Sequence, residues 1–431
     1  MAVSLEASAP RLSVYELSRH VARNDTDCES LGEILRFTTA KDCWSYSVEF
    51  PRSGNLPKAP YLLVPVQIKI HRGSVGIGVL RDNGNDFVEE VQVPPDDIWH
   101  DVTLTVSHDL AIGSLMVRNT SYSGSSEGVI KLLPTQAADS PPAKRVPILE
   151  LNGSSLLQFK PWSGRVPAGY LSDWTGIKTR ATVEHRFARQ PTYWTARQET
   201  PTIQPKTEQI IDWLTVSDAV VSSGETFRMT ALGAGWGRWI AAGGALARQL
   251  GKKYFLIGVE ADPDHFRWMK RHLVENDFDL NFYRLIEAAI SDTAGTCHFE
   301  VGDPQAWYGQ SILKRDDPSR KTITVRTVTI KDVLGDSPPI DYLHMDVQGV
   351  ELDVLSSYPE IVDERVRLIN VGTHSAEIDV GLRKFFGGLG WQSLYEVPLG
   401  ASFRVRIDRE ENVINFQDGV QVWRNVRLNS L

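Results

Sequence analysis

The chain has few cysteines, no excess of basic charge and no long apolar run. Its three cysteines, Cys28, Cys43 and Cys297, lack the spacing of metal ligands, which argues against a disulfide framework or a zinc site. The formal net charge of −8 argues against a general nucleic-acid binder. No segment approaches the roughly 20 apolar residues of a membrane helix, and the N-terminal residues lack the apolar core of a secretion signal. We therefore predict a cytoplasmic protein without a membrane span, of unknown oligomeric state.

What remains is the composition of a folded globular protein. Apolar residues make up 42% and charged residues 23% of the chain, which is typical of soluble domains. A length of 431 residues exceeds what one hydrophobic core usually organises. We predict two domains and a connector, with bounds at 1–135, 136–206 and 207–431.

Short segments of alternating apolar and polar residues fill the first domain. Residues 64–71 alternate strictly, residues 73–80 repeat the pattern with glycines, and residues 82–85 are a strong turn signal. Further strands are predicted near 88–93, 102–106, 114–118 and 129–133. Short strands at this spacing, without helical periodicity between them, indicate an all-β sandwich or jelly roll. Such a domain either binds carbohydrate or serves as a structural or interaction module.

Prolines and isolated aromatic residues mark the connector. Trp162, Trp174, Tyr193 and Trp194 stand in polar, irregular sequence. Aromatic side chains supply large buried areas wherever they occur. These four therefore either pack between domains or line a substrate cleft.

From about residue 207 the pattern changes to alternating strands and helices. Strands are predicted at 227–232, 254–259, 283–289, 322–329, 340–346 and 366–372, and helices at 208–221, 239–250 and 262–276. Residues 254–259 are almost continuously apolar, as in a strand buried on both faces. The alternation predicts a largely parallel, doubly wound, Rossmann-like sheet.

A glycine turn, Gly233-Ala-Gly-Trp-Gly237, follows the first strand of this sheet. Ligands of such sheets bind beyond the carboxyl ends of the strands, and glycine lets the backbone approach them closely. Glu260 ends the next strand, where a carboxylate can accept the hydroxyl groups of a ribose or be a solvated strand end. The third glycine of the NAD fingerprint is absent, because Arg238 and Trp239 follow the turn. The pattern favours S-adenosylmethionine (SAM), which has no pyrophosphate, over NAD.

Segments after the turn resemble the FkbM-type methyltransferase family. They are Glu260-Ala-Asp-Pro-Asp-His-Phe, Ala288-Ala-Ile-Ser-Asp-Thr-Ala-Gly-Thr, Ile340-Asp-Tyr-Leu-His-Met-Asp-Val-Gln-Gly-Val-Glu-Leu-Asp-Val-Leu and Ile369-Asn-Val-Gly-Thr-His-Ser. In order they look like the family's ribose-binding acid, its alanine segment after the third strand, its DVEG-E-VL turn and its fifth strand. The likeness spans about residues 225–395.

The resemblance implies a class I SAM-dependent methyltransferase fold and methyl transfer to a hydroxyl oxygen, often of a sugar or polyketide. It implies that Gly233, Ala234, Gly235 and Gly237 lie against the cofactor, that Glu260 holds its ribose, and that Glu287 and Ala288 lie near its adenine. The chain departs from the family at three positions. Ala231 stands where an acid often contacts the methionine amino group, and Gln348 and Gly372 each replace a glutamate.

Two residues are candidates for the proton transfer that a hydroxyl acceptor requires. Asp346 ends a strand near the expected methyl position, and His374 follows the adjacent strand. Either one takes the proton while the other orients it; alternatively, His374 makes a structural hydrogen bond and Asp346 caps a helix or binds the cofactor's amino group. Asp346, Gln348 and Glu351 are oxygen ligands of the kind a divalent cation prefers, but capping and solvation explain them better, so we predict no metal.

Acceptor contacts are predicted for Trp307, Tyr308, Gln310 and Gln348, the first three of which lie where Pro304 and Gly309 break regular structure. The favoured function is SAM-dependent O-methylation of a glycan or glycosylated natural product. The alternative is a binding or scaffold protein whose methyltransferase-like domain has lost catalysis, because of the departures at Ala231, Gln348 and Gly372.

Overall fold

The structure is a computed structural model that describes residues 14–53, 56, 59–84, 86–107, 110–121, 124–141, 146–203, 207–306, 309–312, 320–407 and 410–428. Its contacts divide the chain into two compact units. Unit 1 comprises Met1–Arg145 and Ser375–Val380, and unit 2 comprises Val146–His374 and Gly381–Leu431. Among the helices of the described residues, none is long and apolar enough to cross a membrane.

Unit 1 is built from antiparallel strands in two sheets. The strands are β1 (Val21–Ala22), β2 (Asp27–Leu31), β3 (Ile34–Thr38), β4 (Tyr46–Phe50), β5 (Tyr61–Arg72), β6 (Val75–Arg81), β7 (Phe87–Val93), β8 (His100–Ser107), β9 (Ile112–Asn119), β10 (Glu127–Leu132) and β11 (Gln136–Ala138). One sheet has the order β1-β4-β9-β6-β7, and the other has the order β11-β5-β10-β3-β2, with β8 also paired to β5.

The two sheets of unit 1 share one hydrophobic core. Along β5 the residues Leu62, Val64, Val66, Ile68 and Ile70 are buried, while the residues between them are only half-buried. Successive side chains of a strand point to opposite faces, so the alternation in the sequence directs one apolar face of β5 inward. These residues join buried residues of the other sheet in a single cluster. The sandwich or jelly-roll type of this unit stays a prediction.

The chain from residue 146 onward mixes strands and helices. The strands are β12 (Ile148–Leu151), β13 (Gly164–Val166), β14 (Tyr170–Ser172), β15 (Lys178–Arg180), β16 (Arg197–Glu199), β17 (Thr226–Leu232), β18 (Lys253–Glu260), β19 (Tyr283–Glu287), β20 (Ala289–Ile290), β21 (Gly295–Glu300), β22 (Thr322–Val328), β23 (Tyr342–Met345), β24 (Leu368–Thr373), β25 (Gln392–Val397), β26 (Ser402–Ile407), β27 (Glu410–Asn415) and β28 (Gly419–Arg424). The α-helices are α1 (His185–Ala188), α2 (Ile210–Ser222), α3 (Arg238–Gln249), α4 (Pro263–Glu275), α5 (Ile330–Leu334), α6 (Glu351–Ser357), α7 (Pro359–Arg365) and α8 (Ala376–Leu389).

A seven-stranded sheet organises unit 2, in the order β19-β18-β17-β23-β24-β28-β25. All pairs are parallel except those that β28 makes with β24 and β25. The predicted parallel, doubly wound sheet is therefore confirmed. The strand order reverses between β17 and β23, and in such sheets this is where ligands bind.

One predicted strand lies elsewhere. We expected residues 322–329 within the main sheet, but β22 pairs with β20 and β21 in a separate three-stranded sheet. The reason is β21, which the sequence did not predict: it pairs antiparallel with β22 from Gly295↔Thr327 to Glu300↔Thr322. The backbone hydrogen-bonding groups of β22 are thus paired with β21 and β20 instead of with a strand of the main sheet.

Most of the predicted connector contributes to unit 2. Strand β12 pairs in parallel with β26, β13 pairs with β16, and β14 pairs with β15. Trp174 is buried in the core of the unit, with its ring centroid 5.3 Å from that of Trp213 in α2. This aromatic residue of the connector is therefore a core residue, whereas Trp194 is exposed.

Candidate functional site

The glycine turn connects β17 to α3 and is held by the neighbouring strand. The backbone N–H groups of Gly233 and Ala234 both donate to the carbonyl oxygen of Val259, at 3.0 and 2.9 Å. Gly233 has φ +72°, and a Cβ there would lie 1.8 Å from the carbonyl oxygen of Asp346. Only glycine fits this position, because both the left-handed backbone and the contact exclude a side chain.

Gly237 ends the turn as the residue before α3. Its φ is +82°, and a Cβ there would lie 2.8 Å from Cγ of Met269. Gly235 also has a positive φ, of +53°, but nothing lies within 4 Å of the Cβ it would carry. The turn thus packs tightly at its two ends and leaves open space at its middle glycine.

Glu260, at the end of β18, faces this turn. Its Oε2 accepts a hydrogen bond from Gly235 N and its Oε1 accepts one from Asp262 N, both at 2.7 Å. Burial raises the pKa of Glu260, against the charge of His265 and these two hydrogen bonds, which lower it. Each carboxylate oxygen can accept a second hydrogen bond, so the group is held in place and can still bind a hydroxyl.

A cavity of about 110 Å³ opens beside Glu260. We call it the Glu260 cavity; its lining is Gly233, Gly235, Val259, Glu260, Ala261, His265, Ala288, Ala289, Ile290, Phe299, Gln310, Ile312, Asp346, Val347 and Gln348. Polar groups of the turn and of Asp346 therefore share one cavity with an apolar wall from β20 and β21.

Of the two residues predicted to lie near the adenine, only one lines this cavity. Ala288 lines it and donates its N–H to the carbonyl oxygen of Glu260 at 3.0 Å. Glu287 is exposed and does not line it. Gln310, predicted to contact the acceptor, lies in the Glu260 cavity, 8% exposed. Trp307 and Tyr308 lie outside the described residues.

Asp346 and His374 meet after β23 and β24, and a third residue joins them. Nε2 of His374 lies 3.2 Å from Oδ1 of Asp346, and Nδ1 lies 2.6 Å from Oε1 of Glu351. Glu351 is fully buried and also accepts hydrogen bonds from Gly349 N, at 3.0 and 3.2 Å. Both ring nitrogens of His374 are therefore occupied by carboxylates.

These contacts set the charge of the pair. Burial acts to lower the pKa of His374, but the charge of Glu351 and the hydrogen bonds to both carboxylates outweigh it and raise the pKa well above 6.5. Desolvation acts to raise the pKa of Asp346, but the hydrogen bond and charge of His374 outweigh it and lower that pKa. Both shifts favour a protonated imidazole on His374 beside an ionised Asp346.

Gln348 supports the same carboxylate. Its Nε2 donates to Oδ1 of Asp346 at 3.0 Å, and its φ of +57° places it in the left-handed region. Oδ2 of Asp346 accepts no hydrogen bond from the described residues, and the side chain is 48% exposed. One oxygen of Asp346 is therefore held by two donors, and the other is available to a ligand.

Two further cavities adjoin Asp346. The His344 cavity, about 170 Å³, is lined by Glu208, Gln209, Asp212, Trp239, His344, Met345, Asp346, Asn370, Gly372, His374, Phe416, Asp418, Gly419 and Val420. The open cleft, about 470 Å³, is lined by Glu184, Arg186, Glu208, Gln209, Gly233, Ala234, Gly235, Trp236, Arg238, Trp239, Gly309, His344, Asp346, Gln348 and Asp418. Asp346 lines all three cavities.

A polar cluster in the His344 cavity was missed by the sequence reasoning. Oδ1 of Asp212, in the first turn of α2, accepts a hydrogen bond from Asn370 Nδ2 at 2.9 Å and lies 3.3 Å from His344 Nε2. The signal was present, because His344 stands two residues before Asp346 and Asn370 two before Gly372, which places each pair on one sheet face. For Asp212 on α2, the sequence contains no comparable spacing that would indicate this contact.

The disfavoured alternative of a divalent-cation site concerned Asp346, Gln348 and Glu351. Glu351 is bound to His374 and to Gly349 N, and Gln348 donates to Asp346. In the part of the chain that the structure describes, no group of three or more His, Cys, Asp and Glu side chains has an arrangement that could hold a metal ion.

The chain is similar to known methyltransferases over this region. Residues 233–385 match the family model of the methyltransferase FkbM domain. A protein of Jannaschia sp. (strain CCS1), named as a methyltransferase, is 29% identical over 194 residues, which cover 42% of this chain and 68% of that protein. The crystal structure of methyltransferase FkbM from Methylobacillus flagellatus aligns with a TM-score of 0.32 and 14% identity, over 46% of this chain and 44% of that one. Precorrin-6y C5,15-methyltransferase from Geobacter metallireducens aligns with a TM-score of 0.31 and 11% identity, over 52% of this chain and 91% of that one.

Proposed function

From the methyltransferase FkbM domain that residues 233–385 carry, we propose that the protein is a SAM-dependent O-methyltransferase acting on a hydroxyl of a glycan or glycosylated natural product. One observation carries the proposal. Asp346 lies where the Glu260 cavity, the His344 cavity and the open cleft meet, with one carboxylate oxygen held and the other available. A methyl donor on one side and an acceptor on the other would both reach this residue.

The residues of the Glu260 cavity fit SAM. The glycine turn offers a backbone surface with open space at Gly235, and Glu260 is a fixed acceptor for ribose hydroxyls. No described residue hydrogen-bonds to the buried amide nitrogen of Gln310. Ala231 is buried in β17, so the methionine amino group has no carboxylate partner at that position. SAM, when bound, supplies an electrophilic methyl group.

The chain's own residues then orient the acceptor and receive its proton. Oδ2 of Asp346 would accept the hydrogen bond of the acceptor hydroxyl. It would take the proton as the methyl group passes to that oxygen and the methyl–sulfur bond breaks, with the electron pair remaining on sulfur. His374 is held as an imidazolium by Glu351 and keeps Asp346 ionised and oriented, so it acts as a positioning residue. Gln348 donates to the same oxygen as His374 and fixes the carboxylate plane.

The lining of the open cleft supports a sugar as the acceptor. Trp236 and Trp239 line it together with polar side chains such as Gln209 and Glu208. Aromatic faces with polar groups around them suit a sugar ring, which has apolar C–H faces and hydroxyl edges. Unit 1, predicted as a sandwich over residues 1–135, would hold the substrate or a partner. We further propose a cytoplasmic location and no nucleic-acid acceptor, the latter from the net charge of −8.

Label transfer tests the proposal. The protein is incubated with methyl-labelled SAM and separate polysaccharide, lipid and small-molecule fractions of the source cells, and label is followed into each fraction. We expect label in a glycan-containing fraction, stable to mild base, because a methyl ether resists the hydrolysis that releases a methyl ester. Base-labile label would contradict O-methylation of a hydroxyl, and absence of label from every glycan-containing fraction would contradict a glycan acceptor.

Two matched variants tie the activity to the site. Asp346→Asn removes the proton acceptor and should lower transfer by at least about 100-fold, while affinity for S-adenosylhomocysteine stays within a few-fold. Asp353→Asn, an exposed position on α6, should transfer label like the wild type. Equal transfer by both variants would reject Asp346 as the acceptor of the proton.

The second candidate is a binding or scaffold protein that has lost catalysis. It is favoured by Ala231, buried where an acid is usual, and by Gln348 in place of a glutamate. Calorimetric titration with SAM separates the two. Binding with label transfer supports the enzyme, and absence of binding supports the scaffold.

A further inference from the structure

The Glu260 cavity contains a polar group to which no described residue hydrogen-bonds. Gln310 is 8% exposed and lines this cavity, and no described residue hydrogen-bonds to its amide nitrogen Nε2. A buried N–H without a partner is destabilising. Such a group in a cavity points to a ligand that provides the missing acceptor.

The chain after Gln310 is anchored, so the amide is held in place. Glu300 N donates to the carbonyl oxygen of Ser311 at 3.1 Å, and Ile312 forms an antiparallel bridge with Phe299. These contacts attach residues 311–312 to the edge of β21. The amide of Gln310 therefore sits at a defined position beside the apolar wall of the cavity.

That wall provides apolar surface of the kind against which an aromatic ring packs. Ala288, Ala289, Ile290 and Phe299 provide apolar surface, and Gln310 provides both a donor and an acceptor. A primary amide pairs with adenine in two hydrogen bonds, accepting from the N6 amino group and donating to a ring nitrogen. Gln310 lines neither the His344 cavity nor the open cleft, so it does not face the acceptor.

We propose that Gln310 recognises the adenine ring of the cofactor and selects it over purines that lack the N6 amino group. The proposal rests on the proposed function, because it takes the Glu260 cavity to be the SAM site. Gln310 would thus be a specificity residue for the cofactor rather than an acceptor residue. Glu260, one strand away, would bind the ribose and would not distinguish the bases.

Calorimetry with two ligands tests this assignment without any turnover. S-adenosylhomocysteine carries the N6 amino group, and S-inosylhomocysteine carries an oxygen there. We expect the wild type to prefer the adenosyl ligand by about 10- to 100-fold, the usual contribution of a bidentate amide–adenine pair. Gln310→Met, similar in length but without an amide, should bind the two ligands within about 3-fold of each other. Gln198→Met, at an exposed position, is the matched control and should keep the preference.

The outcomes separate the two proposals. If Gln310→Met binds both ligands and keeps the wild-type ratio of their affinities, the proposed role of Gln310 is overturned while the proposed cofactor site stands. A wild type that binds neither ligand would overturn the proposed function itself, and this inference with it. Tryptophan fluorescence reports whether the Met variant is folded. If it is not, Gln310→Asn decides, because its amide is one methylene too short to reach the ring and should lose the preference as well.

Discussion

Substituting His374 should destabilise unit 2 far more than the loss of one side chain suggests. His374→Ala removes the cation that Glu351 contacts at 2.6 Å, and Glu351 is fully buried. Breaking a buried pair by removing one partner leaves an uncompensated charge and typically costs about 3–5 kcal/mol. Domains are stable by only about 5–15 kcal/mol, so the variant should lose a large share of its free energy of unfolding.

Urea unfolding followed by tryptophan fluorescence measures this loss. All of the twelve tryptophans except Trp44 and Trp99 lie in unit 2, so the signal reports mainly on that unit. Glu351→Gln in the His374→Ala background removes the stranded charge and should recover part of the loss. His298→Ala, at an exposed histidine, should change the free energy of unfolding by less than about 0.5 kcal/mol.

The pH dependence gives a second arm of the same test. Glu351 and Asp346 raise the pKa of His374 in the folded protein well above 6.5. The stabilisation is therefore fully present below the ordinary pKa of histidine and is lost as the pH rises through the folded value. The difference in the free energy of unfolding between wild type and His374→Ala should therefore become smaller as the pH rises from neutral into the alkaline range. A loss below about 1 kcal/mol at pH 7, or a difference that stays constant with pH, would refute the buried imidazolium.

Three further predictions concern the turn, the ribose acid and the acceptor side. Gly233→Ala should lower the free energy of unfolding by about 2–4 kcal/mol, because of the clash with the Asp346 carbonyl and the left-handed backbone, and should abolish S-adenosylhomocysteine binding. Gly235→Ala, with open space around it, should lower the free energy of unfolding by only about 1 kcal/mol. Equal effects of the two substitutions would contradict the packing of the turn. Burial raises the pKa of Glu260 above 4.5, so the affinity of the wild type for S-adenosylhomocysteine should begin to fall at a higher pH than the titration of a free glutamate would give. Calorimetry should find weaker but nearly pH-independent binding in Glu260→Gln. An equally steep pH profile in that variant would count against ribose binding by Glu260. Asp212→Ala should lower label transfer about 10- to 100-fold, because His344 and Asn370 lose their shared hydrogen-bond partner in the His344 cavity. The affinity for S-adenosylhomocysteine should be unchanged. Weakened S-adenosylhomocysteine binding would contradict a role of Asp212 on the acceptor side.

Local patterns were sufficient to predict the glycine turn and the position of Glu260. The apolar segment ending at Glu260 and the glycines from Gly233 predict a strand, a turn and a strand-end acid, because these features depend on residues close together in the chain. Neighbouring parallel strands end at the same edge of a sheet, so the proximity of Glu260 to the turn followed from topology alone. The register Leu232↔Val259 confirms it.

The polar cluster of the His344 cavity and the position of Gln310 could not be predicted in this way. Gln310 lines the Glu260 cavity next to Ser311 and Ile312, which contact β21. Nothing in the neighbouring sequence indicated that residues 295–300 form this strand. Asp212 stands on a helix more than 130 positions before His344 in the chain. Contacts between such distant segments depend on how helices pack on the sheet, which residue spacing does not specify.

The sequence by itself determined the parallel sheet of unit 2, the turn between β17 and α3, and the position of Glu260, because periodicity and glycine conformations act over a few residues. Only the tertiary structure decided the state of the candidate catalytic pair. Glu351, fully buried, lies at the second ring nitrogen of His374, a contact that the sequence did not indicate. A buried carboxylate stabilises the charged imidazole, and that burial arises from the packing of α6 beneath the strand ends rather than from any local pattern.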